Sequence, residues 1–129
     1  DAIAWAEVEK LVPLLVEQIV VPYGVHAHVE YRRGVPPVVN DVDSTALLGR
    51  AVEQVLGADG HVPTKQSLGG EDFGWYLDRV PGAMGRLGTR TPGGPTYDLH
   101  QGNLRVDDRA VGVGARVLAH VAVASRRPK

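Results

Sequence analysis

Ser67-Leu68-Gly69-Gly70-Glu71-Asp72-Phe73-Gly74-Trp75-Tyr76 is the stretch on which the reading of this chain turns. A glycine pair lets backbone approach a ligand closely, two adjacent carboxylates follow it, and the aromatic residues behind them fit a short helix over Asp72 to Leu77. The macrodipole of such a helix favours negative charge in its first turn, with Phe73, Tyr76, Leu77 and Val80 packing beneath. Pro81-Gly82 ends it. Further on, His100 stands outside any periodic pattern, beyond a strand expected over Ala83 to Gly88 and a proline- and glycine-rich loop from Thr89 to Pro95. Nowhere else does the sequence set reactive groups beside backbone of this freedom.

Working back toward the start, Trp5, Val8, Val12, Leu15 and Ile19 recur at helical spacing and predict an amphipathic helix from Ile3 to Val21. Pro13 inside it removes a backbone donor and is expected to kink the helix or shift its start, and Pro22 with Gly24 ends it. Val25, Ala27, Val29 and Tyr31 then alternate with His26, His28, Glu30 and Arg32, the period of a strand with one covered face. Gly34, Pro36 and Pro37 stop that strand, so Tyr31 to Asn40 reads as a crossing between two packing units. A helix and one strand do not make a domain, and the chain opens at Asp1 directly on a helical pattern, so a fragment is expected.

A second helix is predicted from Ser44 to Leu56, capped by Asp43 or Ser44, with Leu47, Leu48, Ala51, Val52, Val55 and Leu56 on its apolar face and Gly57 at its end. Asp59-Gly60 makes a turn and Val62 to Ser67 a short strand. The last helix runs from Arg109 to Val123 behind Asp107 or Asp108, with Val113, Val117 and Val121 on one side and Ala110, Leu118 and Ala122 widening the face. Gly112 and Gly114 lower its propensity by about 1 kcal/mol each relative to alanine, a cost that close packing against a sheet would explain. The order helix, strand, short helix, strand, helix predicts an α/β fold, an α+β mixture with helices covering a sheet.

Composition narrows the chemistry. With 129 residues, 43% of them apolar, the chain has the material for a core, and 16 glycines and 9 prolines demand many conformationally specific loops. A net charge of -1 supplies no field for nucleic acid or anionic lipid, and the basic run Arg126-Arg127 with Lys129 reads as a solvated tail. The absence of cysteine excludes a thiolate nucleophile and leans toward the cytoplasm. No apolar window is long enough to cross a bilayer, and no signal peptide is visible.

Each reactive residue has a plain structural alternative. Glu71-Asp72 can bind a metal, hold a ligating histidine or accept substrate hydrogen bonds, and can equally cap a helix at the surface. His100 fits a metal ligand, with Asp98 or Glu71 setting its tautomer, and fits a structural loop histidine as well. His26 and His28 share one strand face and could chelate, but lack a third nearby ligand; His61 falls in a turn and His120 in a helix tail. Ser44 and Ser67 lack the Gly-x-Ser-x-Gly elbow of a serine hydrolase, and Gly69, Gly70 and Gly74 form neither a dinucleotide fingerprint nor a P-loop.

Four motifs in order carry a family resemblance: Tyr31-Arg32-Arg33-Gly34-Val35-Pro36-Pro37-Val38-Val39-Asn40-Asp41, Gly69 to Leu77, Val80-Pro81-Gly82-Ala83 with Leu87-Gly88, and Leu99-His100. Together they resemble the carboxy-terminal part of the M20 metallopeptidases, and within them the amidohydrolase branch of hippurate hydrolases and N-acyl-amino-acid amidohydrolases. Two departures stand out: Gln101 to Val106 lacks the proline and aromatic usual after the Leu-His pair, and Met84 to Leu87 replaces an aromatic-rich strand.

The resemblance implies a catalytic α/β domain interrupted by a lid and dimerisation domain. Residues 1–33 would be the last helix and strand of the lid, and 34–129 the return into the catalytic domain. It implies a divalent metal cofactor, two ions of zinc or manganese with nickel or cobalt as alternatives, and makes His100 the final ligand. Gly69, Gly70, Glu71, Asp72 and Phe73 would then line the pocket or support the ligands, while the other ligands and a glutamate base lie outside these residues. The substrate would be a small acylated amino acid or peptide-like amide, the protein a homo-oligomer, and the isolated chain inactive and without bound metal. Two other readings stand beside this one: a non-catalytic dimerisation piece pairing through the Val25 to Arg33 strand, and an independent small binding module.

Overall fold

Alternation without a partner strand leaves a segment extended in its facing but unpaired, and this explains the largest difference between expectation and structure. The computed structural model describes residues 2–126. Its elements are α1 (Ala2–Val20), α2 (Val42–Leu56), α3 (Phe73–Leu77) and α4 (Arg109–Ser125), with 3-10 turns at Val21–Tyr23 and Ala58–Gly60. Among the described residues no strand forms, so the strands expected over Val25 to Arg33, Val62 to Ser67 and Ala83 to Gly88, and with them the α/β layering, are corrected to irregular chain between helices. A strand is a property of a pair, because its N–H and C=O groups must find a neighbouring ladder. The alternation survives as burial only from Ala27 on: Ala27, Val29 and Tyr31 are half-buried while His26, His28 and Glu30 are exposed, and Val25, expected on the covered face, is exposed too. The basic tail residues Arg127 and Lys129 lie outside the described residues.

Contacts divide the chain into two units, Asp1–Asn40 with Ser67–Gly82, and Asp41–Gln66 with Ala83–Lys129. In the first, α1 runs through Pro13 without stopping or restarting, so the expected shift of its start does not occur. Gly24 ends the following 3-10 turn in the left-handed region at φ 65°, its N–H donating to the Val21 carbonyl at 3.0 Å. Trp5, Val12, Val16 and Val20 are half-buried, but Ile3, Leu11, Leu14, Leu15 and Ile19 are exposed. The tightest packing of this unit lies at the crossing: Pro36 and Gly74 are buried, and a Cβ on Gly74 would collide with the Pro36 carbonyl oxygen. A Cβ on Gly70 would reach 2.7 Å from Val35 Cγ2. Glycine at these two positions is what lets the 70–77 segment lie on the Val35 side chain and the Pro36 backbone.

The second unit is built on α2 packed against α4. Asp41, rather than Asp43 or Ser44, caps α2: its carboxylate accepts from Ser44 N at 2.8 Å and Ser44 Oγ at 2.7 Å. The helix therefore starts two residues early, with Ser44 in the third helical position where the cap's acceptor reaches. Gly57 ends it at φ 79°. In α4 the buried and half-buried residues are Ala110, Val113, Gly114, Val117, Val121 and Ala124, one stripe at helical spacing, and Leu118 is 67% exposed, so the face is narrower than expected. Gly114 does make a close approach, a Cβ there lying 3.3 Å from Leu87 Cδ2, whereas Gly112 faces open space and its cost is not offset by packing. The buried apolar side chains of this unit's helices are small: Ala51 on α2, Ala110 and Val117 on α4.

Candidate functional site

Glu71 and Asp72 enter α3 with their carbonyls already committed. Gly74 N donates to Glu71 O at 3.0 Å and Trp75 N to Asp72 O at 3.1 Å, which fixes the backbone of both acids while their side chains stay exposed. The Asp72 carboxylate makes no capping hydrogen bond, so the helix-capping alternative for this acid does not hold. Phe73 is half-buried, its ring 6.1 Å from that of Tyr76. Ahead of them Ser67 Oγ accepts from Gly69 N at 3.1 Å, which makes this serine a turn residue closing on its own backbone.

His100 is the only non-glycine residue with positive φ among the described residues, at 65°. An L-residue in this region pays for crowding between its Cβ and backbone, and histidine is among the types that tolerate it. The side chain is exposed on a turn whose next reversal is closed by Leu104 N donating to Gln101 O at 3.1 Å. Gly69 to Phe73 belong to the first unit and His100 to the second.

The other histidines have structural partners or open exposure. His61 Nδ1 lies 3.2 Å from Glu53 Oε1, and its ring fills the space beside Gly49, where a Cβ would come within 2.8 Å of Cε1. His120 Nδ1 lies 3.0 Å from Gln54 Oε1, tying α4 to α2. His26 and His28 are exposed. Among the described residues no group of three or more His, Asp or Glu side chains is arranged to hold a metal ion. These residues fit the supply of single donors and do not fit a metal site of their own.

One electrostatic pairing in the second unit shifts both of its partners. The Arg109 guanidinium and backbone N–H together hold the Asp107 carboxyl far below the usual carboxylate range, and Asp107 in turn raises Arg109. Asp41 is lowered by the backbone N–H and hydroxyl of Ser44. All three charges serve helix starts.

Sequence reasoning missed one cluster in the first unit. Trp5 and Trp75 meet edge to face with centroids 6.4 Å apart and planes at 76°, and Arg33 Cζ sits 3.8 Å from the Trp5 ring centroid. No period links residues so far apart in the chain, and the two tryptophans are the only ones in the sequence.

The family model described as Peptidase family M20/M25/M40 matches residues 6–124. The chain belongs to this family. Among its relatives, a protein named putative glutamate–cysteine ligase 2-3 from Rhodococcus jostii is 48% identical over 114 residues, 88% of this chain and 14% of that protein. A probable hydrolase from Synechocystis is 35% identical over 91% of this chain and 30% of its own length. An N-acetyldiaminopimelate deacetylase from Anoxybacillus flavithermus is 33% identical over 89% of this chain and 29% of its own length. Further M20 relatives are named as amidohydrolases and deacetylases, the branch whose likeness the motifs carry. This M20 chain thus spans between about a seventh and a third of the curated relatives it matches. No solved structure matches it. No helix among the described residues is long and apolar enough to cross a membrane.

Proposed function

We propose that this chain is the carboxy-terminal part of a metal-dependent amidohydrolase that cleaves N-acyl-amino-acid or related amide bonds. The observation that carries the reading is the continuous family match over residues 6–124 together with a relative named for removing an N-acetyl group. On this reading residues 1–33 close the lid domain and 34–129 return into the catalytic domain. His100 would hold one of two divalent ions, its imidazole carried outward by the left-handed turn. Gly69 and Gly70 would give the substrate close access, with Glu71, Asp72 and Phe73 lining the pocket.

A bound divalent ion lowers the pKa of water and polarises the amide carbonyl. The chain's own contribution is positional: one imidazole donor and two exposed carboxylates on a fixed backbone turn, which orient ligands or substrate through preorganised charge. The base glutamate and remaining ligands would come from residues outside this chain, so the chain alone would be inactive. The whole protein would be a cytoplasmic homo-oligomer acting on a small acylated amino acid.

The test is hydrolysis of N-acetyl-amino acids by the longer protein that carries this chain, with and without added divalent metal. Metal-dependent turnover, lost with His100→Ala together with part of the bound metal, is expected. Full activity and full metal content in His100→Ala would overturn the reading.

A second reading, a non-catalytic association piece, is favoured by one observation: α1 leaves Ile3 73% and Ile19 64% exposed, with Leu11, Leu14 and Leu15 open beside them. Light scattering at high concentration decides it, since a clean monomer ends this alternative.

A further inference from the structure

We infer that Trp5 and Arg33 are positioning residues, which act through Trp75 to hold the turn of Glu71 and Asp72 in place. The inference deepens the amidohydrolase reading and rests on it only where it assigns that turn to a substrate pocket.

The five residues of α3 are too few to hold a helix by their own hydrogen bonds, so its place must come from tertiary contacts. Its buried side is supplied by Gly74 lying on the Pro36 carbonyl. On its other flank stands Trp75, half exposed, its ring edge to face with Trp5 at 6.4 Å. Trp5 is itself covered by the Arg33 guanidinium, 3.8 Å from the ring centroid, and Arg33 Nε lies 3.4 Å from Glu9 Oε2. Trp5 and Glu9 are four residues apart on α1 and so present one face, and the planar guanidinium is held from both ends of that face. The ring that Trp75 meets therefore has a restraint that does not depend on Trp75.

The consequence reaches the acids through two backbone hydrogen bonds. Trp75 N donates to the Asp72 carbonyl at 3.1 Å, and the neighbouring Gly74 N donates to the Glu71 carbonyl at 3.0 Å. Displacing Trp75 opens these bonds and frees the backbone of both acids. Nothing in the acids' own side chains replaces this restraint, since both are exposed and Asp72 makes no cap.

Hydrogen exchange on the full chain tests the inference. Cation–π and aromatic pairs of this exposure imply that Arg33→Met and Trp5→Leu speed exchange at the Gly74 and Trp75 amides on the order of tenfold. Amides of α2 and α4 should not change in either variant. Arg33→Lys, which keeps the charge but loses the planar stack, should recover part of the protection. Near-UV circular dichroism gives an independent signature, because coupling between the chain's only two tryptophans disappears equally in Trp5→Leu and Trp75→Leu. Should Trp5→Leu unfold α1, the comparison of Arg33→Met with Arg33→Lys still decides. Unchanged exchange at Gly74 and Trp75 in Arg33→Met, or an equal rise in α2 and α4, overturns the inference. The measurement needs neither substrate nor metal, so a failed amidase assay leaves its result standing.

Discussion

Asp107 grips Arg109 three times: the backbone N–H and Nε of Arg109 donate to Oδ1 at 3.0 and 2.8 Å, and Nη2 donates to Oδ2 at 2.6 Å. One carboxylate, a residue ahead of the N-cap Asp108, thus takes the first amide of α4 and pairs with that residue's side chain, while its own amide donates to the Thr89 carbonyl at 2.7 Å. The arrangement joins the loop before α4 to the helix, and it works only while Asp107 is ionised.

The pH dependence follows in sign. Because folding depresses the Asp107 pKa, its stabilisation is complete above the unfolded carboxylate value of about 3.9 and is lost as pH falls from there toward the folded value. Asp107→Asn should lower the stability of α4 at neutral pH and flatten the acid limb of its unfolding curve. Far-UV circular dichroism against pH for both proteins checks this; parallel acid limbs would contradict it.

Asp41→Ala should shorten α2 from its first turn. The carboxylate satisfies Ser44 N, so the variant should melt a few degrees lower with reduced helix signal. Ser44→Ala removes only the hydroxyl bond at 2.7 Å and should cost less. A larger loss in Ser44→Ala than in Asp41→Ala would refute this ranking.

The two glycines of α4 should respond differently to the same substitution. Gly112→Ala places a methyl in open space and should stabilise the chain by about 1 kcal/mol through helix propensity. Gly114→Ala gains the same propensity but meets Leu87 Cδ2 at 3.3 Å, so its net gain should be smaller or absent. Urea midpoints of the two variants measure the difference.

Gly74→Ala should be the most damaging of the glycine substitutions in the first unit. The new methyl meets a backbone carbonyl, which cannot turn away as a side chain would, and overpacking of this kind costs about 1–3 kcal/mol. Near-UV signal from Trp75 should change with it. Gly34→Ala, with nothing near its Cβ position, is the matched control.

Part of the fold was legible in the sequence and part was not. Helix existence was, because periodicity, Pro22, Gly24 and Gly57 act locally and the structure ends α1 and α2 where they stand. The facing of Ala27, Val29 and Tyr31 was legible too, but their ladder was not, since alternation describes one chain and pairing needs another. The cap at Asp41 was missed because Asp43 and Ser44 offer equally good local chemistry, and only the backbone position decides among them. His100 drew notice by breaking every pattern, yet its left-handed backbone has no sequence signal comparable to a glycine. The stack of Arg33 on Trp5 was invisible for a different reason: it joins irregular chain to a helix across a long loop, where no spacing rule applies.

His100 separates stability from function most cleanly. Its left-handed backbone costs roughly 1–2 kcal/mol for an L-residue, and glycine removes that cost. His100→Gly should therefore leave the melting temperature of this chain unchanged or higher, while His100→Ala, still an L-residue at the same φ, gains nothing. In the longer amidohydrolase proposed above, both variants should lose metal and activity alike, because both remove the imidazole. A His100→Gly protein that is less stable than the parent would mean that the ring holds the turn rather than the turn presenting the ring, and His100 would return to being a structural loop residue.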